Sequence, residues 1–218
     1  MVSNRRKNKK RMQDLQHRLH IQDLQNKIRK FSDPILTEKC ESVEFGDEAK
    51  QIGKELARVL ATSKTGVGLA APQIGYTKRI IAIRSSINDP NVVVMINPDI
   101  IKISDAKFHV SEGCLSYPGV VAIVERYKEV TAAWTDVNGE KQTKDMTGLE
   151  SVVMQHELFH LDGRCANHDA WIQHKELESR RLKAIIDGEP EQPAEDKHEC
   201  CHQHEHTEGH VCTCHEAK

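Results

Sequence analysis

The chain has 218 residues, of which 38% are hydrophobic, 29% charged and 4% aromatic. This length allows one domain with a core plus extensions, or two very small domains. No apolar run approaches the roughly 18 residues that a membrane-spanning helix needs, so a membrane span is excluded.

The net charge of −2 conceals a strong asymmetry between the two ends. Residues 1–30 contain ten Lys or Arg and two Asp, whereas residues 189–218 contain eight acidic and two basic residues. Such ends are typical of appendages on a folded centre. We therefore predict a basic, partly helical extension at 1–30, a folded domain at 31–188 and an acidic, Cys/His-rich tail at 189–218.

Cysteine usage and the N-terminus suggest a cytoplasmic protein. The seven cysteines are odd in number and clustered, which favours a reducing compartment with thiols as metal ligands over a disulfide framework. The first residues lack the apolar stretch of a signal peptide.

Hydrophobic spacing and turn residues predict an α+β fold. The expected helices lie at 12–30, where the pattern is weak, and at 47–63, 148–161 and 167–186. The expected strands lie at 79–83, 91–96, 100–103, 107–110, 120–124 and 129–136, and Asn138-Gly139 is a turn that leads into one more. We expect small antiparallel sheets packed around the helix at 148–161, with the last helix C-terminal to them.

The predicted helix at 148–161 contains the pattern HExxH. Residues four apart lie on one helix face, so His156 and His160 can offer two imidazoles to one metal ion. Glu157 could then take a proton from water on that metal. The alternative is a surface helix with two chance histidines. Residues 152–154 are all apolar, however, and a buried helix needs partners for its polar groups, which favours a metal.

A catalytic metal needs a third protein ligand beside an open position. An endopeptidase of the metzincin kind would place a histidine at Ala166, but the nearest one, His168, comes two residues late. A downstream ligand such as Glu176 or Glu178 would require another helix to return to the site.

Cys114 is the upstream candidate for the third ligand. It lies between Gly113 and Leu115 in a stretch rich in turn-forming residues. It could be a small buried hydrophobic residue, or a thiolate ligand with Gly113 allowing close approach of the backbone to a metal.

Three segments, taken together, resemble the three motifs of the peptide deformylase family in the family's order. They are Gly-Val-Gly-Leu-Ala-Ala-Pro-Gln at 66–73, Glu-Gly-Cys-Leu-Ser at 112–116 and Gln-His-Glu-Leu-Phe-His at 155–160. The resemblance covers about residues 31–165 and implies that the domain at 31–188 is a metal-dependent hydrolase. The implied reaction removes the N-formyl group from the N-terminal methionine of newly made polypeptides and releases formate.

The resemblance also implies residue roles. Cys114, His156 and His160 would hold one divalent metal, most readily Fe(II), with Zn, Ni or Co as substitutes. Glu157 would be the general base. The side-chain amide of Gln73 and the backbone N–H of Leu115 would stabilise negative charge on the formyl oxygen.

The glycines of the first two motifs suggest how a substrate binds. The alternation of Gly66 and Gly68 lets an extended peptide lie beside the backbone as an added strand. We predict substrate contacts from Gly66, Val67, Gly68 and Gly113. An apolar pocket for the methionine side chain would use Val67, Val152 or Val153.

One position departs from the family's pattern. The residue before the second histidine is very often aspartate in this family, whereas here it is Phe159. A phenyl ring cannot make the charged contact of a carboxylate, so Arg126 or another basic residue would lose a partner. Such supporting contacts change metal affinity or activity ~10- to 100-fold, and we expect an active protein.

The two ends suggest further partners. In the tail, Cys200, Cys201, Cys212 and Cys214 could bind extra zinc, either in a fold or while disordered. The basic arm, or the helix around 175–183, could contact the ribosome, or the arm could simply be a solvated extension. We expect a monomer that acts on N-formylmethionyl nascent peptides. The alternatives are a catalytically weak relative that binds metal or ribosomes and, less favoured, an HExxH endopeptidase.

Overall fold

Four α-helices and seven strands form the part of the chain that the computed structural model describes, residues 2–187. The helices are α1 (Val2–Asn26), α2 (Asp47–Thr62), α3 (Gly148–Leu161) and α4 (Asn167–Asp187). The strands are β1 (Gly68–Ala70), β2 (Ile80–Ile83), β3 (Val93–Ile103), β4 (Lys107–Cys114), β5 (Tyr117–Tyr127), β6 (Glu129–Thr135) and β7 (Lys141–Thr147). Short 3-10 helices lie at Pro34–Thr37 and Ala71–Ile74. The predicted α+β class is confirmed.

The chain divides into two units, Met1–Leu177 and Glu178–Lys218. Of the second unit the structure describes only residues 178–187, which are the last turns of α4. The predicted division at residues 30 and 188 stays a prediction. Within residues 2–187, no helix is both long enough and apolar enough to cross a membrane.

The strands form two antiparallel sheets. Five strands are ordered β1-β2-β3-β6-β7, and β4 pairs with β5 as a separate hairpin. Among the described strands, β1 is therefore an edge strand that pairs only with β2. Alternation along β4 buries Glu112 and Cys114 while Ser111 and Gly113 are exposed, because successive side chains point to opposite faces.

Helices α2 and α3 pack against this framework in different ways. The predicted apolar stripe of α2 is buried, with Ile52, Leu56 and Val59 at 2% exposure or less. In α3, ten of fourteen residues are buried, including polar ones. The central position expected for the HExxH helix is confirmed.

Several elements differ from the prediction. A strand at Gly68–Ala70 was not expected, and β4 and β5 extend beyond the predicted 107–110 and 120–124. β3 is continuous where two strands were predicted, because the strand passes through a register shift between Ile96 and Asp99. Asn97 adopts φ 50° there, and its side chain bonds both backbone groups of Val43. Helix α1 spans Val2–Asn26 in place of 12–30, and Ile28, beyond its end, is buried in the core.

Candidate metal centre

Helix α3 is fixed to the end of β5 by one glutamine. Gln155 accepts the backbone N–H of Tyr127 and donates to the carbonyl oxygen of Tyr127, each at 3.0 Å. It also donates to Ser151 one turn earlier. This contact sets the rotation of α3, so that His156 and His160 turn toward the β4–β5 hairpin.

The hairpin brings Cys114 to the two histidines. A register shift after Gly113 pairs Cys114 with Tyr117 across a two-residue turn. The Cys114 Sγ then lies 3.2 Å from Nε2 of His160, and Cys114 and His156 line the same cavity. The centroids of the two imidazole rings are 5.1 Å apart. The structure therefore brings together the three residues proposed as ligands.

These groups suit a divalent metal. Metal–sulfur and metal–nitrogen bonds of ~2.3 and ~2.0 Å at a tetrahedral angle separate the two donor atoms by roughly 3.5 Å, close to the spacing of Cys114 and His160. The adjacent Glu157 is 4% exposed, and its Oε2 has no hydrogen-bond partner within residues 2–187. An unpaired buried carboxylate is costly unless a cation or a bound molecule meets it.

A buried ion pair supports His156 from behind. Arg126 donates to both carboxylate oxygens of Glu112, at 2.7 and 2.8 Å, and Glu112 Oε2 lies 2.8 Å from His156 Nδ1. With Nδ1 engaged, the Nε2 nitrogen of His156 is left for a metal. Burial alone would raise the pKa of Glu112, but Arg126 and His156 outweigh it and lower the pKa to about 2. Burial likewise opposes charge on His156, yet its bonds to Cys114 and Glu112 raise its pKa.

The side chain of Gln73 is oriented by the backbone of Ala70. Its Oε1 accepts the N–H of Ala70 at 2.8 Å, so its NH₂ group turns toward Cys114. Nε2 lies 3.6 Å from Cys114 Sγ and 3.1 Å from the hydroxyl of Ser116. An N–H donor is thereby held beside the proposed metal ligand, as the predicted role of Gln73 requires.

A cleft of about 830 Å³ opens onto this centre. Its lining includes all the residues predicted to contact substrate or to form the apolar pocket: Gly66, Val67, Gly68, Gly113, Val152 and Val153. Leu115, His156 and Glu157 also line it. A Cβ on Gly68 would collide with Glu157 and Val153, so only glycine fits there. A Cβ on Gly113 would meet none of the described residues within 4 Å, so close packing does not explain that glycine.

Glu157 lies at the floor of the cleft with an altered acidity. Burial raises the pKa of its carboxyl to about 7, against the opposing attraction of His156 and His160. A carboxyl with a pKa near neutral is well matched to accept and return a proton.

Phe159 is accommodated between two arginines. The guanidinium carbons of Arg126 and Arg164 each lie 4.4 Å from the centroid of its ring. Arg126 also keeps the bidentate pair with Glu112. The expectation that Arg126 loses its partner is wrong, because Glu112 supplies the carboxylate and the Phe159 ring supplies a cation–π contact.

The residues needed by the endopeptidase alternative lie elsewhere. His168 packs against Phe31 and Tyr117, and its Nδ1 is 3.3 Å from the Tyr117 hydroxyl. Glu176 is exposed on α4. The tail cysteines predicted as a zinc site, Cys200, Cys201, Cys212 and Cys214, lie outside the described residues.

The roles of three supporting residues were not predicted from the sequence. The alternation of β4 could have placed Glu112 inside, beside Cys114. Asn167 donates to the carbonyl oxygens of Glu112 and Val120, which lie so far from it in sequence that no local pattern reveals the contact. No local pattern reveals the position of Cys165 either. Its sulfur and the ligand atoms of Cys114 and His160 all lie within 4.8 Å of one another.

Comparisons with known proteins agree with this geometry. The family model described as polypeptide deformylase matches residues 25–175. A peptide deformylase of Endomicrobium trichonymphae is 41% identical over 141 residues, which cover 63% of this chain and 82% of that protein. One from Dictyoglomus thermophilum is 44% identical over 139 residues, or 62% and 86%.

Solved structures give the same result. A crystal structure of peptide deformylase from Plasmodium falciparum has a TM-score of 0.62 at 34% identity and covers 73% of this chain and 95% of its own. The enzyme from Thermotoga maritima has a TM-score of 0.59 at 32% identity, covering 63% and 92%. The chain belongs to the peptide deformylase family.

Proposed function

We propose that this protein hydrolyses the N-formyl group of N-formylmethionyl peptides, releasing formate and a free N-terminal amine. The observation that carries the proposal is that Cys114, His156 and Glu157 line one cleft, with Nε2 of His160 3.2 Å from the Cys114 sulfur. Family membership supports the same reaction.

Cys114, His156 and His160 would hold one divalent metal. Their donor set is one thiolate and two imidazoles, which leaves a position open for water or substrate. We propose Fe(II) as the native ion, with Zn, Ni or Co as substitutes; the support for Fe(II) is the family resemblance. A divalent ion in this site supplies Lewis acidity, lowering the pKa of bound water and polarising a carbonyl.

Glu157 would handle the protons. Its carboxylate would accept a proton from the attacking water and return it to the departing amine nitrogen as the C–N bond breaks. Burial raises the pKa of this carboxyl above that of an ordinary glutamate, which favours a group that holds a proton briefly and returns it.

Gln73 and Leu115 would stabilise the charge that builds on the formyl oxygen. Gln73 is suited to this because Ala70 fixes its amide before substrate arrives. One such fixed donor typically contributes ~3–4 kcal/mol to the transition state. Leu115 lies in the turn between β4 and β5 and lines the same cleft.

The free edge of β1 would bind the peptide. Gly66, Val67 and Gly68 border the cleft, and among the described strands β1 pairs on one side only, with β2. An extended peptide could add to this edge and present its first side chain toward Val152 and Val153. Gly113 would approach it from the hairpin side.

The experiment is release of formate from formyl-Met-Ala-Ser by protein purified without oxygen and loaded with Fe(II) or Ni(II). We expect turnover that disappears in Cys114→Ala and in Glu157→Ala, with metal retained in the second variant. If wild-type protein with one metal ion bound in the domain at 31–188 shows no turnover, the alternative of a binding protein is favoured.

The ends of the chain would serve binding. Lys9, Lys10 and Arg11 are exposed on α1, which supports contact of the arm at 1–30 with ribosomal RNA; the helix around 175–183 is the second candidate. Co-sedimentation with ribosomes that persists at low salt and is lost as salt rises would support this, and no co-sedimentation at low salt would refute it. We further propose that the core, 31–188, acts as a monomer and that the tail, 189–218, takes up zinc.

A further inference from the structure

Cys165 lies beside the metal centre without belonging to the proposed ligand set. Its sulfur, the Cys114 sulfur and a ring nitrogen of His160 are all within 4.8 Å of one another. Cys165 is partly exposed, and it is a free thiol like the other two cysteines that the structure describes. A second thiol so close to an essential one calls for a chemical explanation.

The fold holds this pair of thiols together through defined contacts. The chain reverses direction directly after α3. Gly163 adopts φ 68° there, and the Arg164 N–H donates to the Phe159 carbonyl. Two residues beyond Cys165, the fully buried Asn167 donates to the carbonyls of Glu112 and Val120. These contacts tie the segment around Cys165 to the hairpin that carries Cys114.

The two thiols face different openings. Cys114 lines the substrate cleft, whereas Cys165 lines a second cavity of about 340 Å³ that it shares with Phe159, Arg164 and His168. A small oxidant can therefore reach the Cys114 sulfur through the substrate cleft, while Cys165 approaches that sulfur from the side of the second cavity.

We propose that Cys165 is a resolving thiol for Cys114, forming a reversible Cys114–Cys165 disulfide when a peroxide oxidises the metal-free centre. The Cys114 thiolate attacks one peroxide oxygen, the O–O bond breaks and Cys114 becomes a sulfenic acid with loss of water or alcohol. The Cys165 sulfur then attacks the Cys114 sulfur, an S–S bond forms, the S–O bond breaks, and hydroxide leaves as water with the Cys165 proton. Overall, two thiols lose two electrons and the peroxide gains them.

The distance fits such a step. A disulfide has sulfurs ~2.05 Å apart, so the two sulfurs approach each other by up to roughly 3 Å, a distance that a change of cysteine rotamer covers. Without a partner, a sulfenic acid can proceed to sulfinic and sulfonic acids, which thiols do not reduce. The disulfide would instead be reopened by a dithiol through exchange.

The disulfide would remove one proposed metal ligand, so the site would switch off under oxidation and recover on reduction. This consequence for activity rests on the proposed function. The disulfide itself does not, because the two cysteines can be mapped without any measurement of turnover.

The test uses full-length, chelator-treated protein exposed to hydrogen peroxide, with remaining thiols alkylated before digestion and mass spectrometry without reduction. Wild type should give a cross-link between the peptides of Cys114 and Cys165, and dithiothreitol should restore the Cys114 thiol and its zinc uptake. In Cys165→Ser, Cys114 should be oxidised irreversibly to sulfinic and sulfonic acid. If the serine variant folds poorly, Cys165→Ala takes its place. Cys40→Ala, which removes the buried thiol beside Leu161, is the matched control and should keep the cross-link.

Three results would overturn the proposal. The first is the absence of a Cys114–Cys165 cross-link in wild type, whether Cys114 forms no cross-link or is linked to a tail cysteine. The second is equal recovery of the Cys114 thiol in wild type and Cys165→Ser. The third is a reduced zinc stoichiometry of unoxidised Cys165→Ser, which would make Cys165 a metal ligand.

Discussion

Replacing Glu112 with glutamine should damage both the fold and the metal centre. The change keeps the shape of the side chain but removes the charge that Arg126 and His156 share. The Arg126 side chain is 2% exposed, so its guanidinium would be left buried without a carboxylate. Removing one partner of a buried ion pair typically costs ~3–5 kcal/mol, out of ~5–15 kcal/mol for a whole domain.

Two measurements follow from this substitution. In a chain of this size each 1 kcal/mol corresponds to ~2–4 °C, so Glu112→Gln should lower the melting temperature of the metal-free protein by roughly 6–20 °C. The glutamine amide has one acceptor oxygen in place of the two that Arg126 and His156 use, so the contact with Nδ1 should weaken and the His156 ring should be less firmly held. Metal affinity, measured by competition with a chromophoric chelator, should fall ~10- to 100-fold.

Glu125→Gln provides the matched control. Glu125 pairs with Lys107 at 2.7 Å across the same hairpin, but on an exposed face. Surface pairs contribute little to stability, so this variant should unfold and bind metal like wild type. Equal effects of the two substitutions would refute the view that the buried pair supports the centre.

The pH dependence of stability gives an independent check of the same pair. The pKa of Glu112 is lowered from 4.5 to about 2 in the folded protein. A carboxyl with a depressed folded-state pKa stabilises the fold above its unfolded pKa, and this stabilisation is lost as pH falls toward the folded one. The stability gap between wild type and Glu112→Gln should therefore be full above about pH 4.5 and shrink as pH falls from there toward about 2.

Further predictions concern the cleft and its surroundings. Glu157→Gln should reduce turnover ~10²- to 10⁴-fold with metal retained. Burial raises the pKa of Glu157 to about 7, so ionisation of this carboxyl opposes folding as pH rises. Without metal, the variant should therefore melt at a higher temperature than wild type at pH 8, but not at pH 4. Gly68→Ala should disturb Glu157 and lower both kcat and melting temperature, whereas Gly113→Ala, with open space for its methyl group, should leave the melting temperature unchanged. Phe159→Leu should lose two cation–π contacts, or ~1–2 kcal/mol in urea unfolding, and an unchanged midpoint would remove them as a stabilising feature.

The part of the site that was predictable is the part encoded locally. His156, Glu157 and His160 follow from helical periodicity, which brings residues four apart onto one face whatever the rest of the chain does. Their burial was also foreseeable, since the residues before them are apolar. Cys114 lies far from them in sequence, and its own surroundings allowed two interpretations. Only the order of three motifs distinguished a ligand from a buried hydrophobic residue.

Long-range contacts were beyond local patterns. The split predicted in β3 relied on Asn97-Pro98 as a strand end, but the strand continues through a register shift there. The Asn97 N–H is bonded to the Arg79 carbonyl, and the Asn97 side chain is bonded to the backbone of Val43. In the same way, the proximity of Cys165 to Cys114 depends on Asn167, which bonds a hairpin much earlier in the chain. Neither contact has a spacing that periodicity could detect.

Phe159 shows why a departure from a family's pattern has to be judged from its surroundings. A carboxylate at this position would lie between two guanidinium groups, those of Arg126 and Arg164. Arg126 is already neutralised by Glu112, and Arg164 is exposed to water, so neither arginine requires a second carboxylate. An aromatic ring can face both cations at once without adding a charge that must be desolvated. The charge balance behind His156 therefore rests on Glu112, which explains why the site can be complete with phenylalanine at 159.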